Sequence, residues 1–195
     1  MSNELNLKNI INSENWSMLR SSQAAYGLVP LIQALGDNIT CIEIGVNLGF
    51  NSYMLLENCS NISKLIGIDH YKEYQDWEGY IDQNMQDLVW NIFHENISAL
   101  GPKFVLIKES SADAAKDIDD ESIDFIFIDA DHSMRAVLQD LDNYYPKLKP
   151  GGVISGHDAN LFSVNFAVLS WAKRKGIELS RVQIVKNSSW WWQKV

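Results

Sequence analysis

The stretch Cys41-Ile42-Glu43-Ile44-Gly45-Val46-Asn47-Leu48-Gly49 leads from an apolar run into a turn that carries two glycines. Further along, Ile66-Gly67-Ile68-Asp69 is a second apolar run, and it ends in an acid. Glycines let the backbone approach a ligand where a Cβ would collide, and an acid at a strand end can accept hydrogen bonds from ribose hydroxyls. The two stretches therefore predict the nucleotide-binding half of a fold in which strands and helices alternate.

The length and composition of the chain predict one folding unit. A chain of 195 residues buries a core without help from disulfides or metals, and we expect Cys41 and Cys59 to remain thiols. No apolar run approaches the roughly 18 residues that cross a bilayer. The first residues carry neither the basic nor the apolar region of a secretory signal. We therefore expect a cytoplasmic protein that does not enter a membrane.

The chain is acidic, with a formal net charge of −9. Proteins that bind nucleic acids displace counterions with Lys and Arg, so this charge argues against DNA or RNA as a partner. The dense basic run Lys173-Arg174-Lys175 is expected to be a solvated helix end that the helix dipole favours. A small-molecule substrate fits this charge better.

Apolar runs and the spacing between them predict an α/β fold with a doubly wound, seven-stranded sheet. The predicted strands are Thr40 to Ile44, Lys64 to Ile68, Phe104 to Ile107, Ile123 to Ile128, Gly152 to Ser155, Val182 to Lys186 and Trp190 to Lys194. The predicted helices are Ser22 to Leu35, Ser52 to Glu57, Ile81 to Leu100, Ala112 to Ile118 and Met134 to Tyr145. Alternating strands and helices indicate a mainly parallel sheet covered on both faces.

The two ends of the chain are expected to differ from this pattern. Only residues 187–189 separate the last two runs, so we expect an antiparallel hairpin at one sheet edge. The run Trp190-Trp191-Trp192 is expected to be a packed edge strand with at least one outward ring, which favours a homodimer. Residues 1–21 are interpreted as an arm or lid, in which Trp16, Met18 and Arg20 are candidates to close over a site.

The turn after the first strand departs from the dinucleotide-binding pattern. That pattern is Gly-x-Gly-x-x-Gly, whereas this chain has Glu43-x-Gly45-x-x-x-Gly49. An acid would repel a pyrophosphate, which disfavours a nicotinamide oxidoreductase, but it suits a ligand with an ammonium group. The turn resembles the first motif of class I S-adenosylmethionine-dependent methyltransferases, whose Rossmann-like, seven-stranded sheet ends in an antiparallel hairpin. The resemblance implies one methyltransferase domain over residues 1–195, with its core in residues 22–195.

This resemblance implies which residues would bind S-adenosylmethionine. Those expected at its methionine end are Glu43, Gly45, Asn47 and Gly49, with Asn51 or Ser52 bonded to its carboxylate. Those expected around its ribose and adenine are Asp69, His70, Tyr71, Ser110, Ser111 and Ala112, and Asp129 is placed in the same donor-binding set. Tyr71, Tyr74, Trp77 and Tyr80 form an aromatic, acidic loop after Asp69, interpreted either as a cover for the ligands or as plain packing.

Acids and imidazoles follow the fourth and the fifth predicted strands. Phe125-Ile126-Phe127-Ile128 is followed by Asp129 and His132, and the fifth strand is followed by His157 and Asp158. Because ligands bind beyond the carboxyl ends of neighbouring parallel strands, we expect these four side chains to lie around one small volume. Asp131 is expected to cap the helix that begins near Ser133.

The second pattern resembles the metal-dependent O-methyltransferases, both the catechol-type enzymes and those that methylate macrolide sugars. The resemblance implies a divalent ion, Mg²⁺ or Mn²⁺, on Asp129, His157 and Asp158, and a general base at His132. Such an ion binds the acceptor hydroxyl and lowers its pKa. The better-known relatives have oxygen ligands where His157 stands, and an imidazole favours Mn²⁺, Fe²⁺ or Zn²⁺ over Mg²⁺.

Three interpretations of this second pattern stay open. The first is a methyltransferase that acts on a hydroxyl of a small molecule, assisted by a divalent ion. The second is a metal-free methyltransferase in which His132 or His157 alone removes the proton. The third is a catalytically silent module that binds S-adenosylmethionine or a nucleotide. The resemblance covers nearly the whole chain after about residue 20, and sugars, phenols and other hydroxyl compounds are all candidate acceptors.

Overall fold

Parallel strands form the centre of the molecule because apolar runs that can be buried on both faces alternate with helices. The structure is a computed structural model that describes residues 24–76, 79–185 and 188–195. Its strands are β1 (Ile39–Ile44), β2 (Ile62–Ile68), β3 (Tyr74–Asp76), β4 (Gly79–Ile81), β5 (Phe104–Ile107), β6 (Ile123–Ile128), β7 (Leu148–Gly156), β8 (Gln183–Ile184) and β9 (Trp190–Gln193). Its α-helices are α1 (Val29–Gln33), α2 (Phe50–Asn58), α3 (Gln83–Asn96), α4 (Ser111–Ala114), α5 (Met134–Tyr144) and α6 (Phe162–Arg174).

The predicted seven-stranded sheet is confirmed, with the strand order β5-β2-β1-β6-β7-β9-β8. The first five of these strands run parallel, and β9 runs antiparallel to both of its neighbours. Ile44 pairs with Ile68 on one side and with Ile128 on the other, and Ile128 pairs with Gly156. The carboxyl ends of β1, β2, β6 and β7 therefore lie level along one edge of the sheet.

The two faces of the sheet bury different side chains, because successive residues of a strand point to opposite faces. Ile42 and Ile44 of β1 lie in the same core cluster as Val137 of α5 and Trp171 of α6. Cys41, the residue before Ile42, lies in a second core cluster with residues of α1 and α2. Helices thus cover both faces, as the alternating pattern predicted. Both cysteines are buried free thiols, as expected.

The tryptophan run lies inside the sheet, so the prediction that it forms an edge strand is wrong. β9 lies between β7 and β8, and the short β8 forms the edge. β9 can lie here because Gly156 pairs with Trp190, where a Cβ on the glycine would come within 2.4 Å of the indole ring. Trp190 and Trp192 are buried on one face, and Trp191 is partly buried on the other. No outward ring therefore supports the homodimer, which stays a prediction.

The first described helix is shorter than the predicted helix Ser22 to Leu35. A 3₁₀ turn, Tyr26–Leu28, precedes α1, and a proline, Pro30, lies in the first turn of α1. Proline lacks an N–H and is accommodated at a helix start rather than within a helix. The beginning of the predicted helix at residues 22–23 lies outside the described residues. So do the predicted arm with Trp16, Met18 and Arg20, the loop residue Trp77, and the hairpin residues 186–187.

Two elements were not predicted from the sequence. One is the hairpin of β3 and β4, and the other is most of α6, which is apolar on more than one side and exposes Phe162 and Phe166. Only the end of α6 was expected, and there Arg174 and Lys175 form ion pairs with Asp142 of α5.

Among the described residues, no helix has both the length and the apolar character that a bilayer crossing requires.

Candidate active site

The turn after β1 is shaped by glycines in left-handed backbone conformations. Gly45 has φ of +89°, and a Cβ there would lie 2.0 Å from the backbone oxygen of Asp129. Gly49 has φ of +79°, and a Cβ there would lie 3.0 Å from the ring of Phe93. Only glycine meets both conditions without strain. The turn therefore lies directly against the chain that leaves β6.

Asp69, at the end of β2, is bonded to this turn. One of its carboxylate oxygens accepts a hydrogen bond from the backbone N–H of Asn47 at 3.0 Å, and the other accepts from the backbone N–H of Tyr71 at 2.9 Å. The Tyr71 hydroxyl donates to the backbone oxygen of Asn47 at 2.9 Å. Burial raises the pKa of Tyr71 above its ordinary value, so the phenol keeps its proton and donates. Asp69 thus fixes the turn while its carboxylate retains lone pairs for further donors.

Glu43 is buried, with 1% of its surface exposed. Its two carboxylate oxygens accept hydrogen bonds from the amide of Asn51, at 2.8 Å, and from the hydroxyl of Ser52. The amide oxygen of Asn51 accepts from the backbone N–H of Ala25 at 3.1 Å. Burial raises the pKa of Glu43 to about 7. The polar groups of Asn51 and Ser52 that were predicted to meet a ligand therefore contact Glu43 in this structure.

A cleft opens between the chain after β2 and the chain after β5. Its volume is about 430 Å³, and its lining residues are His70, Lys72, Glu73, Lys108, Glu109, Ser110 and Asp113. Lys108 places its ammonium 3.3 Å from the centre of the Trp90 ring, a cation–π contact. Of the residues predicted around the adenine, His70 and Ser110 line the cleft, whereas Ser111 and Ala112 are not among its lining residues.

The four predicted acids and imidazoles come together at the ends of β6 and β7. His132 places Nε2 2.9 Å from Oδ2 of Asp158 and 3.9 Å from Oδ1 of Asp129. His157 places Nδ1 3.2 Å from the same oxygen of Asp158 and 3.9 Å from the same oxygen of Asp129. Each side chain is 21–25% exposed. We call these four residues the acid–imidazole cluster.

Two imidazoles converge on one carboxylate in this cluster. Hydrogen bonds from His132 and His157 hold the pKa of Asp158 well below its usual range, so this carboxylate stays ionised at neutral pH. Asp158 also has a left-handed backbone, with φ of +58°, which turns the chain sharply after β7. The arrangement can orient an imidazole for proton transfer, because a fixed carboxylate selects the ring orientation.

The cluster also has the spacing of a metal site. Asp129, His132 and Asp158 each offer a ligand atom, and these atoms lie within 4.8 Å of one another. Ligand atoms about 2.0–2.2 Å from one ion lie at most roughly 4.4 Å apart, so small side-chain movements would let these donors reach a common ion. The predicted set contained His157 instead of His132. Both imidazoles lie 3.9 Å from Asp129, so this distance does not distinguish them. The three residues whose ligand atoms lie within 4.8 Å of one another include His132 and not His157.

The start of α5 differs from the prediction in one detail. Ser133 is the N-cap, since its hydroxyl accepts a hydrogen bond from the backbone N–H of Ala136 at 3.3 Å. Asp131 instead accepts from the backbone N–H of Ser133 at 2.7 Å. The prediction that Asp131 caps the helix is therefore wrong, because the serine, one turn before Ala136, is the residue that reaches the open N–H.

A buried acid, Asp140, was not among the predicted residues. It is 4% exposed, and it accepts a hydrogen bond from the hydroxyl of Ser111 at 2.6 Å. Burial raises its pKa to about 6. A signal for it exists in the sequence, because α5 is amphipathic and Asp140 lies on the face that also carries Val137, Leu141 and Tyr144.

The profile of a family described as a methyltransferase domain matches residues 42–159, more than half of the chain. The matched range begins in β1 and ends one residue after Asp158. It therefore contains the glycine turn, Asp69 and the whole acid–imidazole cluster.

Individual proteins are similar to this chain as well. Protein y4gI of Sinorhizobium fredii, an uncharacterized protein, is 26% identical over 144 residues, which is 71% of this chain and 15% of that relative. The chain thus spans a small part of the length of that relative. Among solved structures, the O-methyltransferase NovP matches with a TM-score of 0.62 at 16% identity, covering 86% of this chain and 79% of that chain. A SAM-dependent methyltransferase from Aquifex aeolicus matches with a TM-score of 0.60 at 17% identity, covering 94% of each chain.

Proposed function

This chain belongs to the family of methyltransferase domains, and we propose that it transfers a methyl group from S-adenosylmethionine to a hydroxyl of a small molecule. The observation that carries the proposal is the acid–imidazole cluster directly beside the glycine turn. The backbone oxygen of Asp129 lies so close to Gly45 that a methyl group at Gly45 would collide with it. A donor bound along the turn would therefore reach an acceptor bound at the cluster.

The donor side of the proposal rests on three features of the chain. The turn from Gly45 to Gly49 approaches a ligand with backbone, Asp69 can accept hydrogen bonds from ribose hydroxyls, and the cleft is within the usual size range of ligand pockets. When bound, S-adenosylmethionine supplies an electrophilic methyl group on a sulfonium. Glu43 is buried, and its pKa is raised. It accepts hydrogen bonds from Asn51 and Ser52 of α2, which joins the end of β1 to the helix that follows the turn.

On the acceptor side, we propose that an imidazole of the acid–imidazole cluster removes the proton of the acceptor hydroxyl. Asp158 is ionised and lies 2.9 Å from Nε2 of His132, so it can hold that ring and stabilise the charge that it gains. His132 is therefore our first choice for the base, with His157 second. A divalent ion on Asp129, Asp158 and one imidazole would lower the pKa of the acceptor hydroxyl. The mixed nitrogen and oxygen donors favour Mn²⁺, Fe²⁺ or Zn²⁺ over Mg²⁺.

The acceptor in this proposal is small. The net charge of −9 disfavours a polyanionic acceptor such as RNA. The cluster is open to solvent only in part, which suits one hydroxyl compound rather than an extended polymer. The cytoplasmic location and the homodimer stay predictions alongside this one.

The experiment that tests the proposal has a binding step and a turnover step. In the first, S-adenosylhomocysteine and NAD are titrated into the full chain by calorimetry, and we expect heat only with the former. In the second, transfer of a labelled methyl group from S-adenosylmethionine is measured over a panel of sugars and phenols. Tight binding of NAD without binding of S-adenosylhomocysteine would refute the proposal. Binding without turnover on any acceptor, unaffected by changes at the cluster, would support the catalytically silent module instead.

A further inference from the structure

Two residues of α5 hold the same serine of α4. The hydroxyl of Ser111 donates to Oδ1 of Asp140 at 2.6 Å. The hydroxyl of Tyr144 donates to the backbone oxygen of Ser111 at 2.7 Å. Asp140 and Tyr144 are four residues apart, so they project from one face of the helix. Ser111 is thus fixed at its side chain and at its backbone by a single helix face.

This contact lies directly behind the wall of the cleft. Ser110, the residue before Ser111, lines the cleft and caps α4 by accepting a hydrogen bond from the backbone N–H of Asp113 at 3.1 Å. Glu109 and Asp113 line the cleft as well. Because α4 has only four residues and continues as a 3₁₀ turn, Ala115–Asp117, its own backbone hydrogen bonds hold this wall only weakly. The position of the wall therefore depends on contacts from outside, and α5 supplies them.

Asp140 is an unusual residue for plain packing. An acid that is 4% exposed costs free energy to bury unless it is hydrogen-bonded, and an apolar residue would fill such a place with less cost. Asp131 lies near enough to raise the pKa of Asp140 further. The identity of the residue is therefore better explained by its hydrogen bond to Ser111 than by the core around it.

The same helix also begins at the acid–imidazole cluster. His132 lies two residues before Met134, the first residue of α5, and the N-cap Ser133 lies between them. The beginning of α5 thus adjoins the residues that would face the acceptor, and its second half, through Asp140 and Tyr144, holds the wall that would face the adenine of the donor. A rigid helix fixes the distance between these two places.

We infer that Asp140 and Tyr144 are positioning residues that set the adenine-facing wall of the cleft through Ser111. The inference rests on the proposed function, since it names the ligand of the cleft as the adenosine part of S-adenosylmethionine. Neither residue lines the cleft, and both act through Ser111 and Ser110.

The test is the affinity of the full chain for S-adenosylhomocysteine, measured by calorimetry. Asp140→Ala removes the acceptor of the Ser111 hydroxyl, and we expect binding about tenfold weaker, the size of one lost hydrogen bond to a charged group. Asp140→Asn keeps an acceptor oxygen, and we expect affinity within about twofold of the wild type. In turnover assays, Asp140→Ala is expected to raise the KM for the donor and to leave the acceptor KM unchanged.

A double-mutant cycle separates positioning from a general loss of structure. If Asp140 acts through Ser111, then Ser111→Ala combined with Asp140→Ala weakens binding no more than the larger of the two single changes. Asp142→Asn is the control, since Asp142 is two residues away on α5, exposed, and paired with Arg174. We expect wild-type affinity for this control. Tyr144→Phe, which loses only the second contact, is expected to weaken binding about threefold.

Several outcomes would overturn the inference. One is an Asp140→Ala protein that is folded and binds S-adenosylhomocysteine as the wild type does. Another is an Asp140→Asn protein as weak as Asp140→Ala, or additive effects of the Ser111 and Asp140 changes. If Asp140→Ala does not fold, Ser111→Ala and Tyr144→Phe decide the question, and wild-type affinity in both variants overturns the inference. If the wild type itself does not bind S-adenosylhomocysteine, the proposed function fails first and this inference fails with it.

Discussion

Nε2 of His132 lies 2.9 Å from Oδ2 of Asp158, although the two residues follow different strands of the sheet. Neither residue could reach the other without the parallel pairing of β6 and β7, which places Ile128 opposite Gly156. The contact gives an imidazole a fixed anionic partner at the edge of the sheet where ligands bind.

Removal of the imidazole of His132 is expected to abolish most turnover. His132→Ala should lower kcat by about 10²–10⁴, the usual contribution of a positioned base, with little change in affinity for S-adenosylhomocysteine. The matched control is His94→Ala, because His94 is an exposed histidine on α3 that stacks on Trp90 and is not a member of the acid–imidazole cluster. Unchanged kcat in His132→Ala, with His157→Ala inactive, would transfer the role of the base to His157.

Chelation is expected to lower turnover if Asp129 and Asp158 hold an ion. After treatment with a strong chelator and its removal, methyl transfer should fall at least tenfold and should return on addition of Mn²⁺ more fully than with Mg²⁺. Metal content measured on the re-loaded protein should fall in Asp129→Ala. Full activity in protein shown to be free of metal would leave the metal-free interpretation, with an imidazole as the base.

The stability of the protein is expected to depend on the ionisation of Glu43. Its folded pKa, about 7, lies above the ordinary value of 4.5, so between these values the folded state binds more protons than the unfolded state. The resulting stabilisation is complete below pH 4.5 and is lost as the pH rises through about 7, by roughly 3 kcal/mol in all.

Glu43→Gln should remove this part of the pH dependence, measured by urea unfolding at several pH values. The free energy of unfolding of the variant, relative to the wild type, should therefore rise between pH 5 and about pH 8. Glu57→Gln, on the exposed side of α2, is the control for a change of charge that does not touch the buried network. Parallel curves for wild type and Glu43→Gln would show that Glu43 titrates alike in both states.

A methyl group at Gly45 is expected to disrupt the glycine turn. Gly45→Ala must adopt φ near +89° and also place its Cβ against the backbone oxygen of Asp129. Gly36→Ala is a matched control, since Gly36 has φ of +98° with nothing within 4 Å of the added carbon. The control should cost about 1–2 kcal/mol from backbone strain alone.

The difference between the two glycine variants therefore measures the crowding at the turn. Gly45→Ala should unfold at clearly lower urea concentration than Gly36→Ala and should lose binding of S-adenosylhomocysteine. Equal unfolding free energies for the two variants would mean that the turn moves away from Asp129 at little cost.

Much of the fold was predictable from the chain alone. Ile42 and Ile44, or Phe125 and Phe127, belong to apolar runs whose burial does not depend on which other strand they meet, so the strands could be located by pattern. Gly45, Asp69 and Asp129 could be placed at strand ends for the same reason. A parallel sheet brings such ends to one edge, so their convergence followed from the order of elements.

Tertiary structure alone decided the remaining features. That β9 lies inside the sheet depends on the fit of Trp190 against Gly156, and which imidazole lies closest to Asp158 depends on a loop after each of two strands. The bond from Ser111 to Asp140 joins two helices. Each of these features depends on contacts between residues far apart in sequence, and such contacts are set by packing in three dimensions. Local propensity and periodicity act only over neighbouring residues, so they determined the elements and left these contacts to the folded chain.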